Sequence, residues 1–405
     1  MTESGMTLGD KIKWLRAAQG LGQKVVADQA GCGQGTLSKL ERGRLASPGR
    51  ALLENVARAL SVQVEDLVDR PWQRDPNPAA RAGLIAVETA LEAYELGDDP
   101  GGEVRPWLAI QADLDALVQM RHVHADYVAQ GRLVPGLLRE LHAAYVRLPA
   151  RRTEVLVGLI GVLSSAAWVC KRVGGPARGW TAIAVREVRR CAQELEQPQW
   201  LGYAAWLRAD GIGAANRGAQ YEHVVASVDR LSAAMDDGEV TEMVGMLHLS
   251  AALASASSGN RDGAETHLAE AAALAGRQGG TGTFGHLWFG PANVGIWTTS
   301  IELELGEIGA ALRAARGVDL STIPSANRAA EFQIEVGRTL IKAGRPQQGL
   351  ERLLAAEQLA PQRLRHDVLA REAIAGSGRA MVRSALGRDM RSLVRRMGME
   401  LPRIG

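Results

Sequence analysis

The chain has 405 residues, 46% of them apolar, which is too much for one compact core and enough for two or more. Aromatic residues are only 4% against abundant Ala, Leu, Arg and Glu, a mixture that favours helix and leaves few of the runs that build sheets. The net charge of +2 is too small to argue nucleic-acid binding by itself, and Cys32, Cys170 and Cys191 are too scattered for a disulfide framework or a metal site.

Residues 1–10 lack the basic-then-apolar order of a signal peptide. No run of about 18 apolar residues stands out, so no membrane span is expected, and a reduced cytoplasm suits the free cysteines. Residues 1–70 read as a compact set of short helices. In Leu8–Ala18, the residues Leu8, Ile12 and Leu15 fall three and four apart on one helical face. Residues 23–30 form a second helix with Val26, Ala27 and Ala30 inward. Gly31-Cys32-Gly33 is a tight turn, and Gln34–Glu41 is a third helix ended by Gly43. Pro48 opens a fourth, whose apolar stripe is Leu52, Leu53, Val56, Ala57 and Leu60. A last short turn includes Val64 and Leu67. This head carries ten Lys/Arg against eight Asp/Glu, and the rest of the chain carries 37 against 37.

Three prolines, Pro71, Pro76 and Pro78, then stop any helix and stiffen the chain, so residues 71–80 are assigned as a linker. From residue 81 to 405 the chain is predicted to be helical, broken at Gly, Pro and Asp clusters that recur. The clearest unit spans residues 330–363, with Gly337 and Leu340 in a first helix and Gly344 at the turn. Gly349, Leu353 and Ala356 follow in a second helix, and Pro361 closes it. Small residues at such places let two helices cross closely. The pattern matches tetratricopeptide repeats at their small-residue and proline positions. Weaker copies align on Gly245 with Gly259, on Ala292 with Gly306, on Ala204 with Gly211, and on Ile160 with Gly174. Their starts are roughly 40 residues apart, against about 34 in the ideal repeat. The fold class expected is therefore all-α: a five-helix head, then a tetratricopeptide-like α-solenoid.

The stretch Leu8-Gly9, Arg16, Gly20-Leu21-Gly22-Gln23, Ala27, Ala30-Gly31, Leu37-Ser38-Lys39-Leu40-Glu41-Arg42-Gly43, Pro48, Ala57 and Leu60 resembles the helix-turn-helix domain of the XRE family, which includes lambdoid phage repressors. The resemblance covers about 60 of the 405 residues. It implies that the third helix enters the major groove, where base edges present distinct hydrogen-bond patterns. Gln34 would pair with adenine, and Lys39 with a guanine edge or a phosphate. Thr36 and Ser38 face outward beside them, toward bases or phosphates. By the same resemblance Gln23 holds a phosphate at the start of the second helix, and Arg16 and Glu41 form a structural ion pair. Arg44 and Arg50 are candidates for backbone or minor-groove contacts. Two departures stand out: Gly33 replaces the usual Ser/Thr cap and Gly35 removes a side chain, together costing that helix about 1–2 kcal/mol.

Other motifs carry less. Residues 280–285 spell a dinucleotide-type glycine fingerprint but follow a helix, not a strand, so they are assigned to a loop. His122 and His124 are two apart and would point to different sides of a helix, so no metal site is expected there. Residues 286–291 read as core at the entry to a helix, and Cys32 as a core thiol. Residues 371–405 hold eight arginines against three acidic residues, a solvated helix face or an extra DNA or partner contact. No residues for catalysis and no cofactor motif are found. Mapping the repeats onto a concave groove lined by first helices places Trp168, Lys171, Arg172, Arg208, Asn216, Asn293, Ser300, Glu331 and Arg338 near its surface, with Trp297 at its edge. That mix suits a peptide or polar small molecule, with Asn amides pairing with a peptide backbone.

The two-part layout resembles regulators that join such a head to tetratricopeptide-like repeats, including the peptide-sensing quorum regulators of Gram-positive bacteria. The resemblance implies a homodimer on a near-palindromic DNA operator, with a ligand in the groove changing the spacing of the heads. A DNA-tethered protein-binding scaffold is the alternative. A dry, aliphatic groove would favour the scaffold, and a pocket closed by Trp and Arg would favour a small ligand.

Overall fold

Thr7 starts the first helix with reciprocal hydrogen bonds: its hydroxyl accepts from the Asp10 N–H and the Asp10 carboxylate accepts from the Thr7 N–H, both at 3.2 Å. A computed structural model describes residues 7–45, 50–62, 64–67, 78–173, 178–212, 217–382 and 387–399. The head contains α1 (Leu8–Ala18), α2 (Gln23–Gln29), α3 (Gln34–Glu41), α4 (Arg50–Ala59) and α5 (Val64–Leu67). Its core is the predicted apolar set, with Ile12, Val26, Ala27, Leu37, Leu53, Val56, Leu60 and Leu67 all buried. Pro48, Pro71 and Pro76 lie outside the described residues, and Pro78 opens the next helix.

Among the described residues, α6 (Pro78–Ala93), α7 (Trp107–His122) and α8 (Tyr127–Arg147) follow the head, then five helix pairs. The pairs are α9 (Arg152–Val173) with α10 (Arg178–Leu195), α11 (Pro198–Ile212) with α12 (Arg217–Leu231), α13 (Gly238–Ser257) with α14 (Arg261–Gln278), α15 (Pro291–Glu304) with α16 (Ile308–Arg316), and α17 (Ala326–Lys342) with α18 (Pro346–Leu359). The last helices among the described residues are α19 (Pro361–Arg365), α20 (Val368–Val382) and α21 (Gly387–Arg396). No strand occurs among the described residues.

The repeat signals have physical causes. The turn glycines Gly259, Gly306 and Gly344 all hold positive φ, between 74° and 82°, which side chains resist. In the clearest unit, a Cβ on Gly337 would lie 3.0 Å from the Gly349 carbonyl oxygen, so α17 and α18 cross backbone to backbone. The first helices α11, α13, α15 and α17 pack side by side, as stacked repeats require. The segment Pro149–Val173 is long and apolar enough to cross a bilayer by length and composition, a point the sequence expectation did not register. In this fold 72% of its most apolar window is buried inside the protein.

The array then turns back on itself. Gln362, just inside α19, accepts a hydrogen bond from the Tyr127 N–H at 3.0 Å and donates to Asp126 at 2.8 Å, across more than 230 residues of sequence. The Ser325 hydroxyl donates to the His122 carbonyl at 3.2 Å, and Ala125 is buried in the C-terminal core. At the far end of this closure, Val368 and Leu369 of α20 pack against the head's own core.

One contact fixes the middle of the array. The Phe289 ring is fully buried and lies over Gly245 of α13, where a Cβ would come within 2.0 Å of it. Gly245→Ala is therefore expected to destabilise the repeat region by roughly 1–3 kcal/mol through overpacking, read as a lower urea midpoint. Adding Phe289→Leu to that variant is expected to recover part of the loss. Full additivity of the two changes would refute the contact.

Candidate functional site

In the head, Leu37 and Leu40 are buried and turn Gln34 and Lys39 to solvent, with Thr36 and Ser38 partly covered. Gly33 caps α3 without a side-chain hydrogen bond, as its lack of a side chain dictates. The Ser38 hydroxyl accepts from Arg42 at 2.7 Å. Arg44 is exposed beyond the end of α3, Arg50 begins α4, and the Arg50 side chain lies outside the described residues.

Arg16 and Glu41 form a bidentate pair at 2.6 and 3.2 Å that ties α1 to α3. Gln23 joins it: its amide donates to Glu41 at 2.7 Å. That amide is turned into the head's own ion pair instead of standing free for a phosphate, because a nearly buried carboxylate needs its remaining lone pairs filled. Burial alone would raise the Glu41 pKa. Hydrogen bonds from Arg16 and Gln23, with the Arg16 charge, outweigh it and hold the carboxyl below its ordinary range. The Cys32 thiol is pushed up by burial.

Behind the head, a cavity lies inside the helical array, with about 200 Å3 open to the centre of a water molecule. One water needs about 10–15 Å3 on that measure, so the space suits a ligand of many atoms. Trp168, Lys171 and Arg172 from α9, Asn293, Trp297 and Ser300 from α15, and Glu331 and Arg338 from α17 all line it. One described sequence candidate, Arg208, does not. Asn216 lies outside the described residues. Arg208 is exposed on α11, where Trp206 and Asp210 face the cavity. A helix advances about 100° per residue, so facing Trp206 inward turns Arg208 to the opposite side.

The charges in the cavity converge on Glu331. Its carboxylate accepts from Arg328 at 2.6 Å and Arg363 at 3.0 Å, and pairs with Arg172 at 3.5 Å. Burial works against that charge, but Arg328, Arg363 and Arg172 outweigh it and hold Glu331 far below the usual carboxylate range. Arg363 also donates to Asp367 at 2.7 Å, and the other Asp367 oxygen accepts from the Ala370 N–H, capping α20. Arg338 pairs with Glu335 at 2.9 Å. Asn293 uses its amide internally, donating to the Leu287 carbonyl and accepting from Arg328. It is therefore a buried strut, since a buried amide must pair, and its expected place beside a peptide backbone is already filled.

The sequence reading missed several wall residues. Arg121, His122 and Tyr127 come from before the first repeat, and Arg363 and Asp367 from after the last. Only the return of the array brings them in. His286 and Trp288 also line the cavity, while Phe289 beside them is core. His286 and Trp288 both hold φ of 55°, a conformation that costs a non-glycine residue energy and clusters at functional sites. Residues 280–285 form a loop between α14 and α15.

Two outcomes follow. Glu331→Gln leaves three guanidinium groups without their shared anion and is expected to cost roughly 3–5 kcal/mol, read from denaturant unfolding of the full chain. An unchanged midpoint would contradict this role. For Glu41, whose folded pKa is lowered, the stabilisation is present above the unfolded value of about 4.3 and fades as pH falls through the lower folded value. Hydrogen exchange across residues 8–41 is expected to accelerate as pH drops below that range, after correction for intrinsic rates. Glu41→Gln should flatten that response.

No curated protein matches the chain. Among solved structures, the crystal structure of ComR from S. thermophilus in complex with DNA and its signalling peptide ComS is similar at 13% identity. That match covers 86% of this chain and 99% of the other, with a TM-score of 0.29. The apo form of the competence regulator ComR from Streptococcus vestibularis is similar at 13% identity, over 81% of this chain and 97% of that one, with a TM-score of 0.20. At such scores the chains do not superpose as wholes. Residues 7–70 match the helix-turn-helix domain family over the whole α1–α5 unit, and this chain therefore carries a helix-turn-helix DNA-binding domain at the front of a helical array.

Proposed function

We propose that the protein is a sequence-specific transcriptional regulator. Residues 1–70 read DNA, 71–80 link, and 81–405 bind a peptide or small-molecule effector and mediate dimerisation in the cytoplasm. As a homodimer it would present two heads to a near-palindromic operator, one DNA turn apart. The observation that carries the effector reading is the cavity walled by Trp and Arg where the two ends of the array meet. A dry, aliphatic groove would instead favour the protein-binding scaffold.

A continuous path supports coupling between cavity and head. Glu331 binds Arg363, Arg363 binds Asp367, and Asp367 caps α20. The second residue of α20, Leu369, both lines the cavity and packs on the head core. A ligand that competes for Glu331 or its arginines would alter the footing of α20, and with it the head. Such control requires the ligand to bind one arrangement better than the other.

The test is operator selection with the full-length protein against a random duplex library at about 0.15 M salt, where nonspecific binding is suppressed. Recovery of a palindromic motif is the expected result, and recovery of none in the presence and absence of cell extract would refute the reading. On the recovered operator, Gln34→Ala is expected to lose about 1–3 kcal/mol of specificity per half-site. Equal losses on operator and random DNA would remove Gln34 from base reading.

A further inference from the structure

We propose that the effector carries an oxyanion, a carboxylate or a phosphate, and that this group docks between Arg121 and Arg172 at the Trp168 ring. The proposal rests on the cavity being a ligand site and names the chemistry of its ligand.

Three cations surround one indole. The Trp168 ring centre lies 5.8 Å from the Arg121 guanidinium, 5.1 Å from the Lys171 ammonium and 5.2 Å from the Arg172 guanidinium. Like charges so close repel, and their compensation is uneven. Lys171 has Asp210 at 2.6 Å. Arg172 has only the longer contact to Glu331, which Arg328 and Arg363 hold more tightly. Its Nε has no acceptor among the described residues. Burial and the neighbouring Arg363 charge lower its pKa, the mark of a cation short of anions.

Arg121 is the most exceptional. It is 9% exposed and lines the cavity, yet it has no carboxylate and no hydrogen-bond acceptor among the described residues. The face of one indole is a weaker partner for a guanidinium than an anion would be. His122 and His286, which feel the Arg121 charge, offer no compensation, because an imidazole carries no negative charge. Burial comes first in holding both imidazoles below their ordinary pKa, and the Arg121 charge adds to it.

The cavity as a whole agrees. Seven Lys or Arg side chains line it against five Asp or Glu. Its walls also hold the indole N–H groups of Trp168, Trp206, Trp288 and Trp297, none with an acceptor among the described residues. A site rich in cations and spare donors is suited to a ligand rich in acceptors.

The experiment titrates the full-length protein at low salt with benzoate, phenyl phosphate and neutral benzamide, following tryptophan fluorescence. Saturable quenching by at least one acid is expected, with benzamide at least about ten-fold weaker, as loss of a buried charged contact implies. The stronger acid tells a carboxylate from a phosphate site. Arg121→Gln should weaken the acid about ten-fold or more, and Arg121→Lys should restore most of the binding. The ligand-free Arg121→Gln protein should melt at or above the wild type. Benzamide binding as well as the acids, no saturable binding by either acid, acid binding unchanged in Arg121→Gln, or a much lower melting temperature for that variant would each overturn the oxyanion site. The effector reading fails separately: acids that bind yet leave operator affinity unchanged would sink it while leaving the oxyanion site standing.

Discussion

The repeat region depends on one carboxylate. Glu331 is shared by guanidinium groups from α9, α17 and α19, so it joins the first helix pair to the last and to the closing segment. An isolated carboxylate in that place would be driven to protonate. Three arginines prevent this, and the arginines in turn need the carboxylate. Neither side is stable alone, which makes closure of the array and charge balance in its interior the same condition. Gln362 and Ser325 add neutral hydrogen bonds across the same seam.

The cavity is a consequence of that closure. Stacked helix pairs by themselves make an open concave face. Bringing α19 against the start of α8 places a second wall opposite it, and the loop before α15 supplies a third. That loop is held by a hydrogen bond from the Phe284 N–H to Glu242 at 3.0 Å and by Phe289 wedged over Gly245. With its ends pinned, His286 and Trp288 are kept in a backbone conformation that an unpinned loop would leave.

The head divides its residues between holding and reading. Arg16, Gln23 and Glu41 are joined in one small network that sets α3 against α1 and α2. Leu37 and Leu40 anchor the inner face of α3. What remains outward is sparse, since Gly33 and Gly35 contribute no side chains and Ser38 is engaged by Arg42. Recognition of DNA by such a helix must lean on Gln34, Lys39 and the shape of the duplex.

Local physics made much of this legible from the amino acids. Apolar spacing located α1 to α4 to within a residue or two, because a helix repeats every 3.6 residues and neighbours decide it. Turn glycines and close-crossing glycines marked the later repeats for the same reason: only a missing Cβ allows those backbones. The repeat register placed Trp168, Arg172, Asn293, Trp297, Ser300, Glu331 and Arg338 along one cavity. It failed at Arg208, where a shift of two residues on a helix reverses the face. What the sequence could not reveal was the return of the chain upon itself. Arg121 and Tyr127 lie over 200 positions from Arg363 and Asp367, and no periodicity links them. Their meeting is decided by how small rotations between successive helix pairs accumulate, a sum over many packing contacts that no local pattern records. Tertiary structure alone therefore determined which charges share Glu331, that Asn293 is a strut, and that Arg121 faces the cavity with no anion beside it among the described residues.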